Sequence, residues 1–220
     1  MAKTVIITGA NGNLGVAAVK KFLDKGYKVI AVDHTGTHLG FAASHDDFEL
    51  RDVNLSDEGV AEDFINEAIS LYGRIDGALL LVGGFAMGDV AATDGAAMRR
   101  MYSLNFETAW FTARPLFQHM LQNGFGRIVF MGARTALKPE AGKGAIAYAL
   151  TKSMLFNLAD LLNASAKGKN VLASVLAPGT IDTALNHQSM PDADATNWIE
   201  PAQLADLLEL ICSGKEVSIK

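Results

Sequence analysis

The 220-residue chain is predicted to be a single-domain α/β protein, a doubly wound parallel sheet with helices on both faces. Three observations predict it. Short apolar runs alternate with stretches of helical spacing along the whole chain, the pattern of repeated βαβ units. One run, Ile75 to Val82, is apolar almost throughout, as a central parallel strand covered on both faces must be. A glycine-punctuated turn stands between the first strand and the first helix, where such sheets offer their binding crevice. A chain of this length suits one such domain with a substantial core, and neither internal repeat nor low-complexity linker divides it.

The first strand is Thr4-Val5-Ile6-Ile7, followed by the turn Thr8-Gly9-Ala10-Asn11-Gly12-Asn13-Leu14-Gly15 and a helix carrying Val16, Val19 and Leu23. Tyr27 to Val32 reads as a second strand ending in Asp33, and Phe48 to Val53 as a third, after a polar connection. Ser56 is placed to cap the next helix, with Val60, Phe64, Ala68 and Leu71 at helical spacing and Tyr72-Gly73 at its end. Beyond Ile75–Val82 comes a second glycine-rich turn, Gly83 to Gly88. A long helix is expected from about Thr93 to Asn123-Gly124, with Pro115 as a kink. Arg127 to Met131 is the fifth strand, Tyr148 to about Ala166 a helix buried along Leu155, Leu158, Ala159 and Leu162, and Val171 to Leu176 the sixth strand. Thr180 to Glu200 lacks periodicity and is long for a connection, the mark of a functional lid. Pro201 opens a last helix, Ala202 to Ile211, and Val217 to Lys220 leaves room only for a very short seventh strand.

Composition excludes several classes. A net charge of −5 gives no electrostatic case for nucleic-acid binding. Cys212 is the only cysteine, so there is no internal disulfide and no cysteine-based metal site, which fits a reducing compartment. No run reaches the roughly 18 apolar residues of a membrane helix, and the N-terminal apolar run stops too early for a secretory signal. A cytoplasmic location is expected, with no membrane partner. His34, His38 and His45 lie in the polar connection after the second strand and read as surface residues rather than metal ligands.

The turn carries the first piece of chemistry. A buried strand, a glycine turn and a helix start leave backbone N–H groups converging on one point, where the helix dipole favours a pyrophosphate. Gly9 permits the tight turn, Gly12 the approach of the phosphates, and Gly15 close packing of helix on strand. Asp33 stands eighteen positions after Gly15, where a carboxylate accepts from both ribose hydroxyls of adenosine and repels a 2′-phosphate. The site therefore reads as one for NAD(H) in preference to NADP(H). The second piece is Tyr148 and Lys152, four apart and so on one helix face. A nearby ammonium lowers the phenol pKa, and the pair beside a dinucleotide would pass a proton while the cofactor carries hydride. Taken alone, the pair also fits a packed tyrosine and a solvated lysine.

These motifs, with Asp52-Val53, Asn105 and Pro178-Gly179-Thr180-Ile181-Asp182-Thr183, resemble the short-chain dehydrogenase/reductase family, in order and over nearly the whole chain. The resemblance implies a Rossmann fold and an NAD(P)-dependent oxidoreductase. It implies cofactor contacts from Gly9, Asn11, Gly12, Asn13, Leu14, Gly15, Asp33, Asp52, Val53, Val82, Gly83, Gly84, Tyr148, Lys152, Pro178, Gly179, Ile181 and Thr183. Tyr148 would be the acid–base, Lys152 the ribose anchor that makes it acidic, and Asn105 the holder of a relay water, unless it makes only a local backbone bond. Family members associate through the long helices, here Thr93–Asn123 and Tyr148–Ala166, which implies a homodimer or homotetramer.

Three departures stand out. Leu80-Leu81-Val82-Gly83 replaces the family's Asn-Asn-Ala-Gly, Asn13 takes the place of a glycine and would need its tolerance of left-handed backbone, and Ala133 occupies the family's serine position. Thr135 is an alternative hydroxyl donor, or a loop residue chosen for shape. A narrower resemblance accounts for the alanine. Leu81-Val82-Gly83-Gly84-Phe85, Gly132-Ala133-Arg134-Thr135-Ala136-Leu137 and Ser189 to Asp194 with Trp198 are similar to the quinonoid dihydropteridine reductase branch. There the conjugated ring spreads the incoming charge, so an oxyanion donor matters less. Phe85, Met87, Met190 and Trp198 would line a pocket for a flat ring, or pack between loop and core. The expected activity is hydride transfer between NAD(H) and a carbonyl or quinonoid substrate. The other reading is a dinucleotide-sensing protein with weak or no catalysis.

Overall fold

The computed structural model describes residues 2–214. Six strands form one sheet in the order β3-β2-β1-β4-β5-β6, every pair parallel. The strands are β1 Thr4–Thr8, β2 Lys28–Val32, β3 Phe48–Arg51, β4 Gly77–Leu80, β5 Phe125–Met131 and β6 Asn170–Leu176. The helices are α1 Asn13–Asp24, α2 Glu58–Tyr72, α3 Gly95–Tyr102, α4 Thr108–Asn123, α5 Pro139–Gly142, α6 Ile146–Ser165, α7 Ala184–Ser189 and α8 Pro201–Ser213. This is the doubly wound order, whose direction of winding reverses between β1 and β4. The suggested seventh strand falls outside the described residues.

Alternation along β1 splits the core in two. Ile6 packs on one face with Phe64, Ile65, Leu116 and Leu155, from α2, α4 and α6. Val5 and Ile7 pack on the other with Phe22, Leu204 and Leu208, from α1 and α8. Both faces are covered, which is why Ile75 to Val82 reads as a near-continuous apolar run.

Several sequence expectations are corrected. Asp57, not Ser56, caps α2, because its carboxylate accepts from the Val60 N–H at 3.1 Å. The buried stripe of α2 is Ala61, Phe64, Ile65 and Ala68, while Val60 and Leu71 are exposed. The helix expected from Thr93 starts at Gly95, capped by Asp94, and is interrupted by a π-helical turn at Ser103–Glu107. α4 then runs unbroken through Pro115. The stretch 180–200 is not without structure. It contains α7 and a 3-10 turn, Ala195–Asn197, and Ile181 pairs with Ile199 across its base.

Candidate dinucleotide cleft and proton-transfer residues

At Gly9 the chain leaves β1 with φ +65°, a left-handed conformation, and a Cβ there would lie 3.1 Å from the backbone of Leu81 and Val82. Gly15 is tighter still. Its Cβ would meet the Gly9 carbonyl oxygen at 2.2 Å and that of Ala10 at 2.6 Å, so a side chain at 15 would collide with the turn itself rather than with the strand. Gly12 caps α1 from an extended conformation and no side chain caps that helix, which leaves its first amides to face an anion. Asn13 and Leu14 are the first two helical residues. Asn13 needs no left-handed backbone after all, because no described non-glycine residue has positive φ.

The turn is also walled from outside. The Asn11 N–H donates to a carboxylate oxygen of Asp33 at 3.0 Å. The Asn11 side chain donates to the hydroxyls of Thr35 and Thr37 and accepts from the His38 N–H at 2.8 Å. The loop after β2 is thereby folded onto the glycine turn, and the second Asp33 oxygen makes no hydrogen bond among the described residues. A cleft of about 330 Å³ opens here, at the carboxyl ends of β1, β2 and β4. Gly9, Gly12, Asp33, Val53, Val82 and Gly83 line it. Asp52 is turned aside to His34, whose Nδ1 lies 2.8 Å from its carboxylate. Beside Val32, His34 and Leu81, the wall takes in five residues from further along the chain, Asn54, Leu55, Ser56, Leu104 and Thr108. Sequence reasoning did not find these five. They belong to no short motif and reach the cleft from a capping segment and from the π turn with its following helix.

The second part of the site lies one strand over. The π turn sets Asn105, 1 % exposed, against the loop after β4. Its side-chain oxygen accepts from the Gly84 N–H at 2.9 Å, and its amide donates to the Gly84 carbonyl at 3.1 Å and to the Thr151 hydroxyl at 3.3 Å. The bonds of Asn105 to Gly84 and Thr151 are long-range; its one local contact is to the Met101 Sδ at 3.7 Å, and no local backbone bond is made by its side chain among the described residues. A Cβ on Gly83 would come 2.7 Å from that Asn105 oxygen and 3.0 Å from Lys152 Nζ. The missing side chain at 83 is what admits both groups.

Tyr148 and Lys152 stand one turn apart near the start of α6. The Tyr148 ring meets Phe85 edge-on, with centroids 5.0 Å apart. Lys152 is 4 % exposed; its ammonium donates to the Met131 carbonyl at 2.8 Å and lies 5.9 Å from the Tyr148 ring centre. Burial pulls the Lys152 pKa down to about 8. Burial also pushes the Tyr148 phenol above its ordinary value, opposite to the shift expected from sequence, because desolvation disfavours the charged phenolate.

Ala133 is buried and extended at the end of β5. The Thr135 hydroxyl is buried without a hydrogen-bond partner. Thr135 lines a different hollow, of about 270 Å³, with Pro139, Gly142, Ile146 and Ala149. Of the residues after β6, Arg134 donates its N–H to the Pro178 carbonyl and its side chain borders Gly179. Ile181 pairs with Ile199, and Thr183 caps α7 by accepting from the Asn186 N–H. Phe85 and Met87 are exposed beside the mouth, and the Trp198 ring lies 4.6 Å from that of His187 in the segment before α8. No group of three or more His, Cys, Asp or Glu side chains is gathered for a metal ion among the described residues. No described helix is long and apolar enough to cross a membrane.

A glycine turn at the first strand, an acid closing the second and a Tyr–Lys pair after the fifth stand in a chain that matches one family over most of its length. The family profile described as short chain dehydrogenase matches residues 3–194. The chain belongs to the short-chain dehydrogenase family. It is 31 % identical over 185 residues, 80 % of this chain and 68 % of the relative, to the uncharacterized oxidoreductase YvrD of Bacillus subtilis (strain 168). It is 26 % identical over 211 residues to dihydropteridine reductase of Dictyostelium discoideum, covering 94 % of this chain and 87 % of that protein, in keeping with the narrower resemblance. The solved structure described as ElxO with NADP bound superposes with a TM-score of 0.87 at 19 % identity, covering 100 % of this chain and 95 % of that one, and supports the fold. The activity class that follows for this chain is that of an oxidoreductase using a nicotinamide dinucleotide.

Proposed function

We propose that this short-chain dehydrogenase is an NADH-dependent reductase of a conjugated carbonyl or quinonoid ring, a dihydropteridine among the candidates. The observation that carries the reading is the half-buried Tyr148 and the buried Lys152 on one face of α6, with the Lys152 ammonium beside the loop that Gly83 and Asn105 shape. A dinucleotide suits the cleft, since Gly9, Gly12, Asp33 and Val53 line it and the start of α1 is left without a side-chain cap. Its adenosine half would lie against Asp33 and Val53, its pyrophosphate at Gly12 and the uncapped start of α1, and its nicotinamide ribose at Lys152. Bound there, the nicotinamide supplies or accepts hydride.

ElxO carries NADP in its solved structure. In this chain Asp33 keeps one oxygen free at the adenosine end of the cleft, and its charge would oppose a 2′-phosphate. The phenol of Tyr148, with its pKa raised, stays protonated at neutral pH and is suited to give its proton to a substrate oxygen. Lys152, at about 8, is mostly an ammonium at pH 7 and opposes the charge that then develops on the phenolate. Asn105 fixes the loop that closes this side, through its bonds to Gly84, and would hold a relay water. Ala133 supplies no hydroxyl, so the substrate must disperse charge itself, which a quinonoid ring does better than a simple ketone. Exposed Leu150 and Leu161 on α6 fit association with a second copy.

The test is NADH oxidation with quinonoid dihydropterin and a panel of ketones, in the wild type and Tyr148→Phe. Turnover should fall by about 100-fold or more in the variant, the usual scale of a lost general acid, while NADH still binds. Full turnover in the variant would remove Tyr148 from the reaction. One observation favours a second reading, a dinucleotide sensor: Ala133 has no hydroxyl, and that of Thr135 bonds to nothing. Tight NADH binding without turnover of any probe would favour it.

A further inference from the structure

We propose that Arg134 recognises an anionic substituent, a carboxylate, on the substrate of this reductase. The inference rests on the proposed reaction and adds the chemical class of what enters. Arg134 follows Ala133 and opens the 3-10 turn Arg134–Ala136 after β5. Its N–H is bonded to the Pro178 carbonyl at 3.2 Å, and its guanidinium carbon and one terminal nitrogen lie 3.8 Å from the place a Cβ on Gly179 would take. The 3-10 turn packs against α6, the helix of Tyr148, and Met131, three residues earlier, accepts from Lys152. The side chain therefore stands on the rim shared by the ends of β5 and β6, three residues beyond the carbonyl that holds Lys152.

The arginines that tie the fold together are satisfied. Arg51 pairs with Glu49 and Glu67, Arg74 with Asp76, Arg114 with Glu58, and Arg127 donates to Asn170. Arg134 is exposed and makes no ion pair among the described residues. It shares the segment 134–143 with Lys138 and Lys143, also exposed, against one acid, Glu140. In a chain of net charge −5 this gathers positive charge on the segment that follows β5, where Lys143 lines the neighbouring hollow with Thr135. A guanidinium offers a planar fork of N–H donors that matches a carboxylate with two parallel hydrogen bonds. The phosphates of the dinucleotide are the other anion within the site, but the glycine turn and the start of α1 already face them, so the rim arginine is left for the substrate.

The test compares phenylglyoxylate with its methyl ester as probes of NADH oxidation in the wild type, Arg134→Gln and Arg134→Lys. The wild type should prefer the acid. That preference should drop about 10- to 100-fold in Arg134→Gln, mainly through KM, as expected for loss of a charge-assisted pair, and recover in part in Arg134→Lys. Calorimetric titration of the NADH-loaded protein with benzoate reads the same site without turnover. Benzoate should bind the wild type and not Arg134→Gln. An unchanged acid-to-ester ratio, or equal benzoate binding in both proteins, overturns the assignment. So does a loss of NADH affinity in Arg134→Gln as large as the loss of benzoate, which would put the guanidinium on the dinucleotide. Failure of every probe to turn over, with benzoate still lost in the variant, counts against the reductase and not against Arg134.

Discussion

Replacing the buried lysine should make the cofactor-free protein more stable and inactive at once. Lys152 is 4 % exposed, and its ammonium has one described hydrogen-bond partner, the Met131 carbonyl. Burial holds its pKa at about 8 against an ordinary 10.5. At about 1.4 kcal/mol for each pH unit between the two values, keeping the side chain charged in the folded protein costs roughly 3 kcal/mol. Lys152→Met removes that cost with similar volume, and loses the bond to Met131, worth about 1 kcal/mol. The net gain expected at pH 7 is about 2 kcal/mol, or roughly 4–8 °C in melting temperature for a chain of this size. The sign follows from proton binding. Between about pH 8 and 10.5 the folded wild type holds fewer protons than the unfolded chain, so its stability rises with pH across that window. The advantage of the variant is therefore greatest below pH 8 and gone by about 10.5. Thermal melts of both proteins without cofactor at pH 7 and pH 10 measure this, beside NADH turnover. A variant no more stable than wild type at pH 7, or a gain that persists unchanged at pH 10, would refute the reasoning.

Gly83→Ala brings a methyl to 2.7 Å from the Asn105 oxygen, which three hydrogen bonds hold in place, and should cost about 1–3 kcal/mol in urea unfolding and lower turnover; a neutral result would mean the loop is slack. Asp33→Ser should shift the NADH-to-NADPH ratio of dissociation constants toward NADPH by about tenfold or more, the scale of about 1.4 kcal/mol, as read by fluorescence titration. His119 is buried, its Nε2 accepts from the Ile75 N–H, and burial followed by the Arg74 charge lowers its pKa below the ordinary 6.5. The unfolded chain therefore takes up a proton first, so wild-type stability should fall as pH drops below about 6.5, and urea midpoints of His119→Asn should fall less between pH 7 and pH 5.

How much of this was legible without coordinates depended on whether cause and effect lay close in the chain. Thr4 to Gly15 could be read because strand, turn and helix start are contiguous, and the steric demand at Gly9 and Gly15 comes from atoms within that segment or the adjacent strand end. Unbroken burial along β1 and β4 follows from a parallel sheet covered on both faces and was equally visible. The π turn was not, because it is fixed by bonds from Asn105 to Gly84 and Thr151, 21 and 46 positions away. The cap of α2 was missed by one residue, since Ser56 and Asp57 are both good caps and only geometry chooses between them. The direction of the Tyr148 shift was missed because burial depends on Phe85 and the packed strand ends, which no local spacing reveals.

The wide turn at Ser103–Glu107 lets two helical segments differ in phase. An extra residue there uncouples the phase of α3, which packs against α6, from the sheet-facing side of α4, so Thr112, Ala113 and Leu116 keep their seats in the interior. Deleting a single residue from that turn would restore a regular helix and rotate one segment by about 100°, the angle per residue of an α-helix. Asn105 and the packed face of α4 would then no longer be satisfied by the same chain length. A one-residue deletion in this short stretch should therefore be far more damaging than a conservative substitution anywhere along it.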